Sequence, residues 1–458
     1  MAELKIDGTT LDTIGVRYKG NSTFEFADVI NKYAIKLDIN EFVKGQKYDG
    51  INKINLNNNL LDPSGLRAKL SFDIMKRMNI ISPRVAYAKV TVNGSYRGLY
   101  TMVEQIDKTF VKSSNFDPDN TGYLHKSFGF TVGDLSPSDN GRDLSDESLL
   151  LNIPLKTKKS TKNYQPIRNF VLAARNATDE EFANDINNTF DLDSFIKQQA
   201  LNMILSDRDH YCTANVNFYM YQNPLDNKWY MIPWDYDLAF AAISGSLITE
   251  IANYPLFYKE YCYLTQRMMN IPSLKTKYRE ALCEIINTGM DSTWINNRIT
   301  TLGNLIGAEI ENDPYFWDIS DYNFYLDNPY PINTPGTGLE GTVLSGIRDF
   351  VNKRYDQVVD DLAAYDFSCS LTLNVDDTSL ELTNIDGIYP NPTNDFIYLK
   401  GNDIKVGDIS IYSMLGQNMN ISSIKRIDNN TTQIDLSTLS LGMYFIKTKT
   451  TTSKVYKN

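Results

Sequence analysis

The sequence has very little of the material from which several common sites are built. It contains two histidines, His125 and His210, so a histidine-rich metal site or a Ser-His-Asp triad has few residues to draw on. Its four cysteines lie far apart and form no Cys-x-x-Cys pair, which argues against a zinc site. Whether any of the cysteines form disulfides does not follow from their spacing.

Long apolar runs and strong basic runs are also missing. No stretch of about 18 apolar residues occurs, so no transmembrane segment is expected. The net charge of -11 and the pI near 4.9 disfavour binding to nucleic acids or to anionic membranes. The one short basic stretch, residues 156–162, is flanked by Ser and Thr and is typical of a solvated loop.

What the chain does have is enough apolar material for real cores. Its 458 residues, with 42% hydrophobic and 12% aromatic residues, predict two to three folded domains. Strand-like alternation around an Asn93-Gly94 turn and one helix from residue 63 to 79 fill the first hundred residues. Helical periodicity dominates from about residue 165 to 362, and short alternating strands follow. The pattern predicts an α+β protein with a small all-β tail.

The richest polar cluster lies in residues 206–240. A predicted buried helix ends at a loop with Asp207 and Asp209, and two strands then bring Asn217, Asp235 and Asp237 to the ends of a hairpin. Phosphoryl transfer requires such a set, because magnesium prefers oxygen ligands and a carboxylate must accept the proton of the attacking hydroxyl. Any one of these acids could simply cap a turn; their clustering beside Trp234 favours a functional site.

The order of parts along the chain also matches a protein kinase. A small-residue turn at Gly20 and a strand lysine, Lys36, precede a helix, a hairpin and a hinge at residues 104–105. Asp209, Asn217 and Asp235 follow in the order of the catalytic and metal-binding residues of kinases, although GxGxxG, HRD and DFG are absent as such.

Separate motifs in this order resemble the CotH kinase family, an atypical protein-kinase-like family, over about residues 5–362. They are GVRYKGNSTF, NLNNNLLDPSGLRAKLSFDIMKRM, VNGSYRGLYTMVEQID, GYLHK, NFYMY and IPWDYDLAF. The resemblance implies ATP with Mg²⁺ or Mn²⁺ as cofactors. It implies the following roles: Asp209 and Lys36 catalytic; Lys36, Asn21, Ser22 and Glu104 at the nucleotide; Asn217 and Asp235 at the metal.

Some assignments remain open. The spacing from Asp209 to Asn217 is longer than in HRDxxxxN, so Asn215 or Asp207 could be the true partner. The helix from residue 63 to 79 offers Asp73 as its one acid, which either pairs with Lys36 or is exposed. The turn at Gly20 is equally consistent with a simple hairpin.

The tail resembles a type IX secretion system sorting domain of the A type. The similar segments are IYPNPTNDFIYL, DISIYSMLGQ, IDLSTLSLGMYFIK and the terminal SKVYKN. The resemblance implies export through an outer-membrane translocon, to the cell surface or the medium. The first ten residues, MAELKIDGTT, have neither the basic nor the apolar part of an export signal, so a truncated or trimmed N-terminus is expected.

Together these patterns predict a kinase-like domain at 1–363, a linker at 364–385 and a β-sandwich sorting domain at 386–458. The kinase-like domain would have a β-rich lobe at about 1–110 and a helical lobe at 111–363. The expected activity is phosphorylation of Ser or Thr on an extracellular or surface protein. A non-catalytic coat or adhesion protein is the alternative, since fold does not fix function. A polysaccharide-processing enzyme with paired carboxylates would leave the strand lysine unexplained.

Overall fold

The computed structural model describes most of the chain. The residues outside the description are 21–23, 25–26, 29–30, 61, 114–115, 129–144, 146–148, 151, 241–254, 258–261, 316–320, 332–342, 370–384, 402–405, 414–417, 420, 422, 429, 449–451 and 458. The chain divides into two units, Met1–Ser370 and Leu371–Asn458. The division falls inside the segment expected to be a linker, and the two units are described separately below.

The N-terminal unit begins with a six-stranded antiparallel sheet in the order β1-β2-β3-β4-β6-β5. Its strands are β1 Ala2–Ile6, β2 Thr9–Tyr18, β3 Ile35–Asp38, β4 Lys53–Asn57, β5 Val85–Val92 and β6 Ser95–Glu104. The Asn93-Gly94 hairpin is confirmed: Val92 pairs with Ser95, and both turn residues have positive φ. Asn and Gly tolerate that conformation, which matches the twist of the flanking strands.

The two faces of this sheet differ in polarity because side chains alternate along each strand. On one face Ile35 and Leu37 of β3 join an apolar cluster with residues of β2, β4 and β6. On the other face Lys36 lies between its cross-strand partners Arg17 and Asn55. The polar face therefore carries the strand lysine that the sequence singles out.

The helix after β4 starts later than the sequence predicts. We expected it to begin at residue 63, whereas α1 spans Arg67–Arg77. Asp62 explains the delay: its carboxylate accepts hydrogen bonds from the hydroxyl of Ser64 and, at 2.9 Å, from the N–H of Arg67. These bonds stabilise a turn over Pro63–Gly65, so the helix forms only beyond it.

The remaining helices and a second sheet complete this unit. The helices are α2 Lys108–Ser113, α3 Gln165–Asn176, α4 Asp179–Asp185, α5 Leu192–Ile204, α6 Tyr211–Ala214, α7 Tyr263–Asn270, α8 Pro272–Glu284, α9 Ser292–Glu311, α10 Tyr322–Asp327 and α11 Ile347–Ala363. The sheet contains β7 Tyr123–Lys126, β8 Phe218–Gln222 and β9 Trp229–Pro233 in that order, and β10 Tyr330–Pro331 pairs with β11 Val343–Leu344. One apolar core contains side chains from α1, α5, α8, α9, α11 and the β8–β9 hairpin.

Two disulfides, which the sequence left open, cross-link the helical part. Cys212 in α6 is bonded to Cys262, directly before α7, and Cys283 in α8 is bonded to Cys369, beyond α11. Each closes a long loop, which lowers the entropy of the unfolded chain. Among the described residues, no helix has both the length and the apolar character needed to cross a membrane.

In its described residues the C-terminal unit consists of β-strands and one short 3-10 helix, Val406–Asp408, which agrees with the all-β tail that the sequence predicts. One sheet has the order β12-β13-β16-β15 and the other β14-β17-β18. The strands are β12 Ile385–Tyr389, β13 Phe396–Gly401, β14 Ser410–Ser413, β15 Ser423–Arg426, β16 Thr431–Asp435, β17 Gly442–Lys447 and β18 Thr452–Lys457. Side chains of both sheets share one apolar core. The first of the short alternating runs that follow residue 362, at 370–374 and 379–383, lie outside the described residues.

Candidate phosphate and metal site

The β8–β9 hairpin places two of the predicted metal ligands next to each other. Phe218 pairs with Pro233, and the N–H of Trp234 donates to the carbonyl of Asn217 at 3.0 Å. Asp235 is the next residue. The antiparallel pairing thus carries Asn217 and Asp235 to the same open end of the hairpin.

The backbone at this end is left-handed at three positions. Asn215, Asn217 and Asp235 have φ values of 57°, 60° and 59°. Asn and Asp adopt this conformation more readily than other residues that have a Cβ, because their short polar side chains form local hydrogen bonds. The turn conformation therefore explains why Asn and Asp occupy these positions, whether or not they also bind a ligand.

Asn217 also fixes the position of Asp209. Its side-chain N–H group donates to the Asp209 carbonyl at 2.7 Å and to the Asp209 carboxylate at 2.8 Å. These bonds leave the amide oxygen of Asn217 as a further donor atom for a cation. The loop after α5 and the start of β8 are thereby joined at the candidate site.

The structure distinguishes the two aspartates between which the sequence left a choice. Asp207 is buried, one of its oxygens accepts the N–H of Asp209 at 3.0 Å, and burial raises its pKa to about 8. Asp209 is half-buried; burial, followed by the charge of Asp235, raises its pKa to about 6. Asp207 thus supports the loop from inside, whereas Asp209 retains access to solvent.

Asp237, two residues beyond Asp235, adds another acid to this cluster. Burial, followed by the charges of Asp235 and Asp209, holds the pKa of Asp237 well above its usual range. The segment after Asp237 is anchored by the buried Arg67 of α1, whose guanidinium donates to the carbonyls of Ala239 at 2.9 Å and Phe240 at 2.6 Å. Several carboxylates held together in this way favour a bound cation.

The donor set fits Mg²⁺ or Mn²⁺ bound together with phosphate. Asp209, Asp235 and the amide of Asn217 supply hard oxygen atoms, and magnesium is commonly held by one or two carboxylates plus waters and substrate phosphates. Within the described ranges no three His, Cys, Asp or Glu side chains form a group that could hold a metal by themselves. A metal held by these residues would need further oxygen ligands from water or from a phosphate.

Lys36 is connected to this region through a neutral side chain. Its ammonium donates to the amide oxygen of Gln105, and the Gln105 amide donates at 3.0 Å to the hydroxyl of Tyr219 on β8. Burial, then repulsion by Arg17, lowers the pKa of Lys36 to about 8. Lys36, Arg17 and Asp38 also line a cleft of about 360 Å³ on the polar face of the six-stranded sheet.

Two further lysines lie against Trp234. The ammonium of Lys19 is 5.9 Å from the centre of the indole ring, and that of Lys126 is 5.5 Å from it. Burial lowers the pKa of both, and the charge of Asp235 partly opposes the shift. Lys126 ends β7, so the three-stranded sheet contributes both the lysine and, through β9, the indole.

Other predicted residues have different surroundings. Glu104 is buried and its carboxylate accepts hydrogen bonds from Arg84 at 3.0 and 3.1 Å, so the side chain that contacts Lys36 is that of Gln105. Asp73 forms ion pairs with Lys69 and Arg298 and not with Lys36. Asn21 and Ser22 lie outside the described residues.

Sequence reasoning missed Lys19, Gln105 and Lys126 as members of this site. All three lie within the segments that carry the family resemblance, and that was the one signal that could have identified them. Apart from its place in the GYLHK segment, nothing in the sequence marks Lys126, because a single lysine at the end of a strand is common.

Two family models match this chain. The one described as "CotH kinase protein" covers residues 16–358, well over half of the chain, and the one described as "Secretion system C-terminal sorting domain" covers residues 387–458.

The curated relatives are distant. "Inner spore coat protein H" of Bacillus subtilis (strain 168) is 23% identical over 318 residues, covering 69% of this chain and 82% of that protein. "Invasin CotH3" and "Invasin CotH2" of Rhizopus delemar are each 22% identical over 266 residues, covering 55% of this chain. The matches span 43% of each invasin, less than half of its length.

Proposed function

This chain belongs to the CotH kinase protein family, and we propose that it is an exported protein kinase that transfers the γ-phosphoryl group of ATP to Ser or Thr. The observation that carries this proposal is the arrangement around Asp209. Asn217 binds its carboxylate, Asp235 acts on it electrostatically, and its elevated pKa of about 6 suits a proton acceptor near neutral pH.

In the proposed reaction the hydroxyl of the acceptor residue approaches the γ-phosphorus of ATP. As its oxygen forms the new P–O bond, its proton passes to the carboxylate of Asp209. The bond from the γ-phosphorus to the β–γ bridging oxygen breaks, and ADP leaves with that electron pair. Asp207 accepts a hydrogen bond from the N–H of Asp209 and so positions the carboxylate of Asp209 that takes the proton. Asp207 itself does not contact the substrate.

Asn217 and Asp235 would hold Mg²⁺ or Mn²⁺, which neutralises charge on the phosphates when it is bound. Lys36 would contact the phosphates from the sheet, with Gln105 fixing its ammonium. Glu104, with its backbone in β6, and the residues Asn21 and Ser22 are proposed to lie along the nucleotide. In this view the six-stranded sheet and the helices of residues 1–363 are the two lobes of a kinase-like domain.

The C-terminal sorting domain supports export or a cell-surface location. We propose that residues 386–458 engage the outer-membrane translocon of the type IX system and that residues 364–385 are a linker. The acceptor would then be an extracellular or surface protein.

A non-catalytic surface protein is the alternative function. It is favoured by the names of the relatives, a coat protein and invasins, and by the small supply of ATP outside cells. The two functions differ in nucleotide binding, because a purely structural protein does not need to bind ATP.

The test compares three substitutions in the full chain. Asp235→Asn should weaken magnesium-dependent ATP binding, because a hard cation prefers a charged oxygen. Asp209→Asn should leave ATP binding nearly intact and slow transfer roughly 10²-fold or more, as expected for loss of a proton acceptor. Asp226→Asn is the matched control, since Asp226 lies at the other end of the same hairpin and bonds Tyr230.

Binding is measured by calorimetry, and transfer by labelled phosphate from ATP on the chain itself and on a pool of Ser- and Thr-containing peptides. A parent protein that binds no ATP with magnesium or manganese would favour the alternative. If Asp207→Asn abolishes transfer while Asp209→Asn does not, the proton acceptor is Asp207.

A further inference from the structure

Two cations lie near the indole of Trp234. Its side chain is 5% exposed, and the ammonium groups of Lys19 and Lys126 lie 5.9 and 5.5 Å from the ring centre. The two lysines come from different sheets, since Lys19 follows β2 and Lys126 ends β7. The two ammonium groups are separated by at most the sum of these distances, a span that a chain of phosphates can bridge.

The same two lysines are the ones closest to the acidic side of the site. Asp235 acts electrostatically on Lys19 and on Lys126, and Asp237 acts on Lys19. The main charged neighbours of Lys36 are cations instead: Arg17, Lys53, Lys126 and Lys19. Of the three lysines, Lys19 and Lys126 are therefore the two on which the proposed metal ligand Asp235 acts.

Neither ammonium is neutralised by the described part of the protein. Among the described residues, no carboxylate lies within ion-pair distance of Lys19 or Lys126, and the hydrogen bond of Lys19 to the Asn57 side chain uses one of its three N–H donors. Each also repels the other. Two such cations beside a buried indole, in a chain of net charge -11, constitute a site for a multiply charged anion.

We propose that Lys19 and Lys126, which both lie beside Trp234, bind the β- and γ-phosphates of the nucleotide, and that Lys36 has a secondary part in phosphate binding. This proposal rests on the proposed function for the identity of the nucleotide. A buried indole next to the two ammonium groups lowers the local dielectric, which strengthens their attraction to phosphate. Affinity should consequently depend on the number of phosphates in the ligand.

The experiment titrates the full chain, in the presence of magnesium, with AMP, ADP, a non-hydrolysable ATP analogue and inorganic tripolyphosphate. Lys19→Met and Lys126→Met should each weaken binding of the ATP analogue about tenfold or more, as expected for a lost charge-assisted contact, and change AMP binding little. Lys126→Arg should restore most of the affinity. Lys158→Met is the matched control, because the Lys158 ammonium lies 4.1 Å from the ring centre of Tyr123, on the same strand as Lys126.

The outcomes separate this proposal from the proposed function. If the parent binds the ATP analogue and both Met variants bind it equally well, the lysine assignment is overturned and the kinase proposal is unaffected. The parent could instead bind tripolyphosphate but not the ATP analogue, with weaker binding of tripolyphosphate in Lys126→Met. That result would support an anion site at these lysines and contradict a nucleotide as its ligand. A parent that binds none of the phosphate ligands overturns both. A loss that is equal for AMP and for the ATP analogue, in a folded variant, contradicts a phosphate role.

Discussion

Lys32 and Lys36 are neighbours in sequence and opposites in their surroundings. Lys32 is fully buried, and its ammonium donates to the carboxylate of Asp313 at 2.6 Å and to the carbonyl of Leu99 at 2.9 Å. Lys36 is half-buried and donates to the neutral amide of Gln105, with no described carboxylate at ion-pair distance. The charge of Lys32 is paired with a carboxylate of the protein, whereas the charges that act on Lys36 are those of further cations.

The comparison indicates which charges stabilise the fold and which are available for a ligand. A buried cation with a well-placed carboxylate is strongly coupled to the structure, because removing one partner leaves the other buried and unpaired. A half-buried cation among like charges is destabilising until an anion arrives. The acids near Asp235 repeat this second pattern with the opposite sign, so the candidate site is a region of unbalanced charge.

The largest effect should come from breaking the balanced pair. Lys32→Met or Asp313→Asn should lower the free energy of unfolding by about 3 to 5 kcal/mol, because each leaves a buried charge without its partner. Urea unfolding of the N-terminal unit would measure it. Gly98→Ala is an independent route to the same loss, since its Cβ would lie 2.0 Å from a carboxylate oxygen of Asp313.

A control for this prediction replaces both members of the pair. Lys32→Met combined with Asp313→Asn should recover much of the stability, because no charge is left unpaired and the amide oxygen can still accept the N–H of Leu99. A double variant as unstable as the sum of the single variants would contradict the explanation, and the pair would then matter for packing alone.

An effect of intermediate size, and of opposite direction, is expected at Asp207. Its pKa is about 8 in the folded state and about 3.9 when unfolded, so its stabilising contribution is complete below pH 4 and is lost as the pH rises to about 8. Asp207→Asn should keep the hydrogen bond to Asp209 and raise stability at pH 7 by on the order of 2 to 3 kcal/mol. Melting temperatures from pH 4 to 8 would test this.

The parent should lose stability over that pH range more steeply than the Asp207→Asn variant, and the two should converge near pH 4. Identical pH profiles of the two proteins would show that Asp207 is not held neutral. Transfer activity, measured in parallel, reports whether the amide still positions Asp209.

The smallest effect on stability is expected at Lys36. Lys36→Met should raise the free energy of unfolding by about 1 kcal/mol or less at pH 7, because it removes a cation that burial and like charges disfavour. The pKa of Lys36 is about 8 when folded and about 10.4 when unfolded, so the parent gains stability between those values as the pH rises. The variant should lack that rise.

Nucleotide affinity should change in the other direction in Lys36→Met, since the proposed ligand is an anion. Calorimetric binding of ATP with magnesium should be weaker than in the parent even though the protein melts no lower. A Lys36→Met variant that is less stable than the parent and binds ATP equally well would show that Lys36, like Lys32, stabilises the fold and does not bind the nucleotide.

Much of the local structure was predictable because it depends on neighbouring residues. The Asn93-Gly94 hairpin, the helix that runs from Leu192 into the Asp209 loop, and the all-β character of the tail all follow from turn chemistry and periodicity. The start of α1 was wrong because a side-chain interaction of Asp62 overrides the usual preference for proline in the first helical turn.

The charge pattern of the site was not predictable in the same way. Whether Glu104 or Gln105 contacts Lys36 depends on the register between the strands. A shift of one residue would exchange the faces of the sheet on which the two side chains lie. The approach of Lys19 and Lys126 to Trp234 brings together segments more than a hundred residues apart. Neither periodicity nor spacing contains that information.

The left-handed backbone at Asn217 and Asp235 limits what the residue letters can reveal in any related sequence. Asn, Asp and Gly are the residues that such turns accept at little strain, so a related protein in which these positions bind no ligand still has a conformational reason to keep the same residues there. Lys36 and Lys126 lie on ordinary strand backbone, which many residue types can form. A search for active relatives should therefore score the lysines above the acids.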